Sequence, residues 1–181
     1  VRFADHGKVV ATGTGNSRTG VKGRARLWDS ATGDLIKVLP HSCATVEGMS
    51  ASPDGTLVAG RGDGDSIQLW EVDSNDPTRS LPNSRQILVT QFTMDGRYLV
   101  GGDCQGYLKA WDVRTGKLIL TTRAHKGIVS GCCCVGSSGY LATAGGDGWL
   151  KVWDATAILG NAPKTAPESA AVANIPARAA Q

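Results

Sequence analysis

The chain has 181 residues, 41% of them apolar and 19% charged, which is enough length to bury a core and the balance of a folded rather than a disordered protein. Its net charge of +3 is too small a basic excess to imply nucleic acid, for which a dense basic face is expected. No run approaches the roughly 18 apolar residues of a membrane-spanning helix, and 24 glycines against 2 Phe and 2 Met describe short strands joined by tight turns.

Val1 already lies inside a strand-like pattern, so the natural N-terminus is expected upstream and the lack of a signal peptide is uninformative. Asp5-His6-Gly7 forms a first hairpin turn, and a glycine-rich loop at 13–20 precedes a strand over 25–28 that ends in Trp28-Asp29. Thr32-Gly33-Asp34 then turns the chain into another strand. The pattern returns with the turn Pro53-Asp54-Gly55 and a strand over 67–70 ending in Trp70-Glu71. It returns again with Met94-Asp95-Gly96, a strand over 108–111 ending in Trp111-Asp112, and the turn Thr115-Gly116. The last round has Ser137-Ser138-Gly139 and a strand over 150–153 ending in Trp153-Asp154. The tryptophans are spaced by 42, 41 and 42 residues (70 − 28, 111 − 70, 153 − 111), a period suited to propeller blades of four antiparallel strands.

Residues 125–154 resemble a complete WD repeat, and the likeness to WD-repeat β-propellers extends over 1–156. In that family a His, a hydroxyl residue, an Asp and the Trp make a hydrogen-bonded tetrad, which the resemblance assigns to His125, Thr143, Asp147 and Trp153. A buried indole N–H needs an acceptor, a threonine hydroxyl accepts and donates onward, and a histidine bridges to a turn carboxylate. His125 and Asp147 thus look like a catalytic pair but read as structural. The other repeats are degenerate: Asn83, Gly101 and Gln105 stand at the tetrad positions before Trp111. Before Trp70 stand His41, Gly60 and Gly64, with Asp63 and Asp65 flanking the turn, while repeat one keeps Thr12 and Trp28. Blades two and three are therefore expected to rest on apolar packing between blades.

The fold expected is an all-β partial propeller, 1–156, with a truncated first blade, belonging to a ring of about seven blades. A self-closing four-bladed ring or a ring of two chains are the alternatives. Residues 157–181 hold Pro163, Pro167 and Pro176 among many alanines and are expected to be a mostly disordered tail, with 170–175 a candidate closing strand.

No active site is legible, and no cofactor or small-molecule substrate is expected. The 13–20 loop lacks the Gly-Lys-Ser/Thr ending and following helix of a phosphate loop, and 62–65 lacks the alternating acids of a calcium loop. Cys43, Cys104, Cys132, Cys133 and Cys134 form neither a disulfide framework nor a zinc set, and read as small buried thiols of an intracellular protein, cytoplasmic rather than nuclear.

Function on such a fold belongs to loops held by rigid blades. The candidates for partner binding are Arg18, Lys22 and Arg24 in blade one, Arg61 and Asp63 in blade two, Arg85 and Tyr107 in blade three, and Lys126 and Trp149 in blade four. Trp149 reads equally as an exposed anchor or as cover for the neighbouring blade. The resemblance implies a non-catalytic scaffold for other proteins or peptides. A nucleic-acid-associated, RNA-processing propeller using the basic blade-one loop is the alternative, as is a regulatory subunit of an enzyme complex.

Overall fold

A computed structural model describes residues 2–4, 7–16, 21–39, 46–61, 67–74, 77–82, 86–135, 139–160 and 171–176. Its strands form four antiparallel sheets of four. Blade one contains β1 (Arg2–Ala4), β2 (Val9–Asn16), β3 (Val21–Asp29) and β4 (Leu35–Leu39). Blade two contains β5 (Glu47–Ala51), β6 (Leu57–Arg61), β7 (Ile67–Glu71) and β8 (Pro77–Leu81). Blade three contains β9 (Ile87–Phe92), β10 (Tyr98–Asp103), β11 (Tyr107–Asp112) and β12 (Leu118–Arg123). Blade four contains β13 (Val129–Val135), β14 (Tyr140–Gly145), β15 (Trp149–Asp154) and, after helix α1 (Ala155–Leu159), β16 (Ala171–Pro176).

The aspartate after Trp28, Trp111 and Trp153 builds the turn out of the third strand. Asp29 accepts from the backbone N–H groups of Ala31 and Thr32, and Asp112 from the N–H and hydroxyl of Thr115. Asp154 does the same work differently, capping α1 by accepting from the N–H of Ala157. The N–H groups of Thr32 and Ala31 hold Asp29 below the ordinary carboxylate range, and the Thr156 hydroxyl with the Ala157 N–H does the same for Asp154. At Asp112 partial burial opposes that shift, and the Thr115 bonds outweigh it.

Alternation along the strands gives each sheet two apolar faces, and consecutive sheets stack face to face. The indole ring of each later blade lies against the sheet before it. Trp70 packs with Val9, Ala11, Ala25 and Leu27 of blade one, and Trp111 with Ala59, Ile67 and Leu69 of blade two. Trp153 packs with Leu108, Ala110 and Leu120 of blade three. First strands adjoin from blade to blade, where the Phe92 N–H donates to Ser50 Oγ and Cys134 Sγ to the carbonyl of Phe92.

One position on the outer strand ties each blade to the next. Lys37 pairs with Leu27, Arg79 with Leu69 and Leu120 with Ala110, so all three point forward from equivalent places. Lys37 Nζ donates to the carbonyls of Val72 and Ser74, and an Arg79 N–H donates to the carbonyl of Val113. At the third junction Leu120 replaces the cation and packs with Ile158 and Leu159 of α1.

Several sequence expectations meet different facts. The last blade continues past residue 156 through α1, whose Ile158 and Leu159 are buried, while β16 pairs along β15 where 170–175 is the candidate closing strand. Blade one has four strands, the first only three residues long. The thiols are less buried than expected: Cys133 is exposed and Cys104, Cys132 and Cys134 are half-buried. Cys133 lies on the face of blade four that no other sheet covers among the described residues, and burial raises the Cys134 thiol above its ordinary value. Cys43, His41, Asn83 and the rest of the tail lie outside the described residues.

The junctions predict a ranking in chemical denaturation. Leu120→Ala opens a cavity and costs about 3 kcal/mol, whereas Arg79→Ala loses one half-solvated bond and its stem packing and costs about 1.5 kcal/mol.

Candidate functional site

Four side chains from separate elements meet in blade four. His125 comes from the loop after β12, Thr143 from β14, Asp147 from the β14–β15 turn and Trp153 from β15. Trp153 Nε1 donates to Thr143 Oγ1 over 2.9 Å, and His125 Nε2 lies 2.9 Å from the same hydroxyl. His125 Nδ1 lies 2.9 Å from Asp147 Oδ1. The carboxylate can only accept, so Nδ1 carries the proton, Nε2 accepts from Thr143, and the chain of donors runs one way from indole to carboxylate.

The carboxylate also organises the loops around it. Asp147 Oδ2 accepts from the Lys126 N–H over 2.9 Å, and Oδ1 from the Trp149 N–H over 3.2 Å. Partial burial works to raise the Asp147 pKa, but the bonds from Lys126, His125 and Trp149 outweigh it and hold it below 3.8. The His125 ring sits where a Cβ on Gly145 would stand, 2.3 Å from His125 Cγ. From the other side the loop rests on blade three, where the Gly106 carbonyl accepts from the N–H groups of Ala124 and His125. Gly106 has φ +92°, and a Cβ there would lie 2.1 Å from the His125 carbonyl oxygen, so only glycine fits.

His125 is fully buried and Thr143 nearly so, with their polar atoms engaged within the blade. The His–Asp pair therefore presents no exposed nucleophile, and its geometry serves to hold loops. Elsewhere the indole finds other acceptors. Trp28 Nε1 donates to Thr12 Oγ1, and Trp111 Nε1 to the backbone carbonyl of Pro82. Apolar side chains close the gaps at the tetrad's hydroxyl position: Met49 lies against Gly60, and Ile87 against Gly101.

On the loop face above the tetrad, Trp149 is 41% exposed and Ile128 43%, with Lys126 exposed beside them. Tyr107 and Arg24 hold the place of Trp149 in their own blades, four residues before Trp111 and Trp28. Tyr107 is half-buried, with the Arg123 guanidinium 5.9 Å over its ring, and Asp103 accepts from its N–H. Arg24 is exposed and Arg61 half-buried on β6. The backbone of Lys22 runs in β3, while Arg18, Asp63 and Arg85 lie outside the described residues. Ile128, Asp103 and Gly106 carried no motif signal in the sequence; their roles come from the loop geometry alone.

Stacked four-stranded sheets, each with a tryptophan turned to the sheet before, define the blades of a β-propeller. The chain belongs to the WD-repeat family. The sequence profile of the WD domain, G-beta repeat, matches residues 33–71 and 116–154. Both matches begin in the turn before one blade's outer strand and end at the signature acid of the next blade. Among similar proteins, Cell division cycle 20.1, cofactor of APC complex, from Arabidopsis thaliana is 30% identical over 75% of this chain and 30% of its own length. U3 snoRNP-associated protein-like EMB2271 from the same plant is 29% identical over 72% of this chain and 31% of its own. Nuclear distribution protein nudF of Emericella nidulans is 26% identical over 73% and 35%. The chain thus spans about a third of these relatives' length. A chain in the crystal structure of the mitotic checkpoint complex superposes with TM-score 0.78 at 20% identity, over 98% of this chain and 51% of that one.

Two predictions test the tetrad. Thr143→Val strands a buried indole N–H and costs about 3 kcal/mol, against about 1 kcal/mol for Thr12→Val beneath the half-exposed Trp28. Because Asp147 titrates lower when folded, its stabilisation is present above pH 3.8 and lost as pH falls through the lowered value. The stability gap between wild type and Asp147→Asn should be constant above about pH 5 and close in acid, as read by urea unfolding across pH.

Proposed function

We propose that the chain is a non-catalytic scaffold that captures peptide segments of other proteins on the loop face of blades three and four. The observation that carries this reading is the exposure of Trp149, at the head of β15 with its N–H on Asp147, and of Ile128, on the loop whose Lys126 N–H is held by the same carboxylate. An aromatic anchor on a rigid support loses little freedom on binding, which is why such residues dominate interface energetics. Lys126 at the rim favours a peptide with an acid beside its apolar anchor. The relatives named above agree in kind, since one is a cofactor of the APC complex and a structural neighbour sits in a checkpoint complex.

A second reading has its own support. Arg24 and Arg26 lie on β3, Lys22 precedes them, and one relative is named for a snoRNP, so an RNA-associated role for blade one is the alternative.

The test selects binders from a displayed random-peptide library and measures their affinity for purified variants. Trp149→Ala and Ile128→Ala should each weaken the selected peptides at least about tenfold, with little change as salt rises. Undiminished binding by the double variant rules out this face. Binding of a single-stranded RNA oligonucleotide that falls steeply with salt and is lost on Arg24→Ala supports the second reading instead.

A further inference from the structure

Between blades two and three lies a cleft of about 570 Å³ lined by three arginines, Arg79, Arg97 and Arg114, and by the acids Glu71 and Asp112. Each of these two blades has a neighbour on both sides, so the cleft owes nothing to where the blade series begins or ends. It opens at the end of the strands marked by the β9–β10 hairpin and the β11–β12 turn, opposite the end that carries Trp149.

The other junctions show that the blade fold does not require these arginines. Arg79 pairs with Leu69 where Lys37 pairs with Leu27 and Leu120 with Ala110. Arg97 stands just before the residue that pairs with the acid after the tryptophan, a position held by Thr56 in blade two and Gly139 in blade four. Arg114 lies two residues beyond that acid, where Asp73 and Thr156 stand in the same two blades. The first junction thus has Lys37, Thr56 and Asp73, and the third has Leu120, Gly139 and Thr156. Only the middle junction has an arginine at all three positions. The acids are different in kind, because both occupy the repeat's own position after Trp70 and Trp111, and Asp112 already accepts from the N–H and hydroxyl of Thr115.

Two of the guanidinium groups are held before any ligand arrives. Arg79 donates to the carbonyl of Val113, between Asp112 and Arg114, and its stem lies on Gly116, where a Cβ would stand 2.7 Å from Arg79 Cδ. Arg97 sits 4.9 Å over the Tyr98 ring, with Nε 4.0 Å from Asp112 Oδ2. These contacts engage few of the five donors on each group. The Arg97 side chain is 65% exposed and Arg114 is exposed, so both can reach a ligand.

We propose that this cleft receives a phosphorylated serine or threonine in an extended segment of a partner protein. A phosphate ester presents three acceptor oxygens and a charge of about −1.5 to −2 at neutral pH, one oxygen for each guanidinium fork. Three arginines against Glu71 and Asp112 leave one net positive charge, so a lone carboxylate competes poorly with the two already present. The dianion, with more hydrogen bonds, is the better match. Nucleic acid fits less well, because three cations at one spot do not track a backbone and Arg97 already covers the Tyr98 ring on which a base would stack.

The test is fluorescence anisotropy with two labelled pools of short peptides, random except for a central phosphoserine in one and a central serine in the other. Wild type should bind the phosphoserine pool at least about tenfold more tightly, with the difference shrinking as salt rises. Arg97→Gln and Arg114→Gln should each reduce that preference several-fold. The double variant should abolish it while keeping the β-sheet circular dichroism of wild type. Trp149→Ala should leave the preference unchanged, which separates this site from the loop face. Equal binding of the two pools overturns the proposal, as does a preference that survives in the double variant or is lost with Trp149→Ala. A single-stranded RNA oligonucleotide that binds more tightly than the phosphoserine pool, and is lost in the same double variant, overturns it in favour of nucleic acid.

Discussion

A tryptophan pressed between two sheets carries an N–H that water cannot reach, and the rest of this chain is arranged around that donor. Burying the ring is favourable through its area, but an indole N–H left without an acceptor would cost about 1–3 kcal/mol of that gain. In blade four Thr143 accepts it, the Thr143 hydroxyl donates in turn to His125 Nε2, and His125 Nδ1–H donates to Asp147. In blade three a glycine stands where the hydroxyl would be, and the carbonyl of Pro82 accepts instead. The first solution reaches into two loops and orders them. The second satisfies the donor from a single backbone carbonyl, so the blades share a fold without sharing one side-chain network.

The offset between repeat and blade explains how the sheets hold together. Each matched repeat contributes the outer strand of one blade and the three inner strands of the next, so the covalent chain itself spans every junction. The forward-pointing position on that outer strand varies in chemistry but always joins one blade to the next. Lys37 and Arg79 reach backbone carbonyls at the foot of the following blade, and Leu120 packs against α1. A long cation buries its stem and delivers its charge to solvated carbonyls, and a leucine suffices where a helix brings its own apolar side chains.

The period of the tryptophans was plain in the sequence because packing against a neighbouring sheet demands a large ring at one fixed register. His125, Thr143 and Asp147 were legible for a related reason, since side-chain hydrogen bonds require particular residue types. Backbone acceptors leave no such trace: nothing about Pro82 or Gly106 marks their carbonyls as partners for Trp111 and the His125 loop. Exposure was harder still. Tyr98 and Tyr140 are the same residue in the same register, and only the presence or absence of a covering sheet separates them. The expectation that the cysteines were buried failed on that point, because Cys133 belongs to the same uncovered face.

The positions of order and exposure within the chain follow from these two constraints acting together. Blade four has both the most extensive polar network and the least covered forward face. Its network does not depend on that face, because Thr143 and Trp153 turn toward blade three, while Tyr140, Ala142 and Leu150 turn the other way. The alternation of a strand separates the two roles, one residue apart. The loop face of blade four can thus be held rigid by contacts made backward, whatever covers it in front. Rigid loops carrying Trp149 and Ile128, and an apolar sheet face carrying Leu150, are therefore two separable surfaces built on one blade.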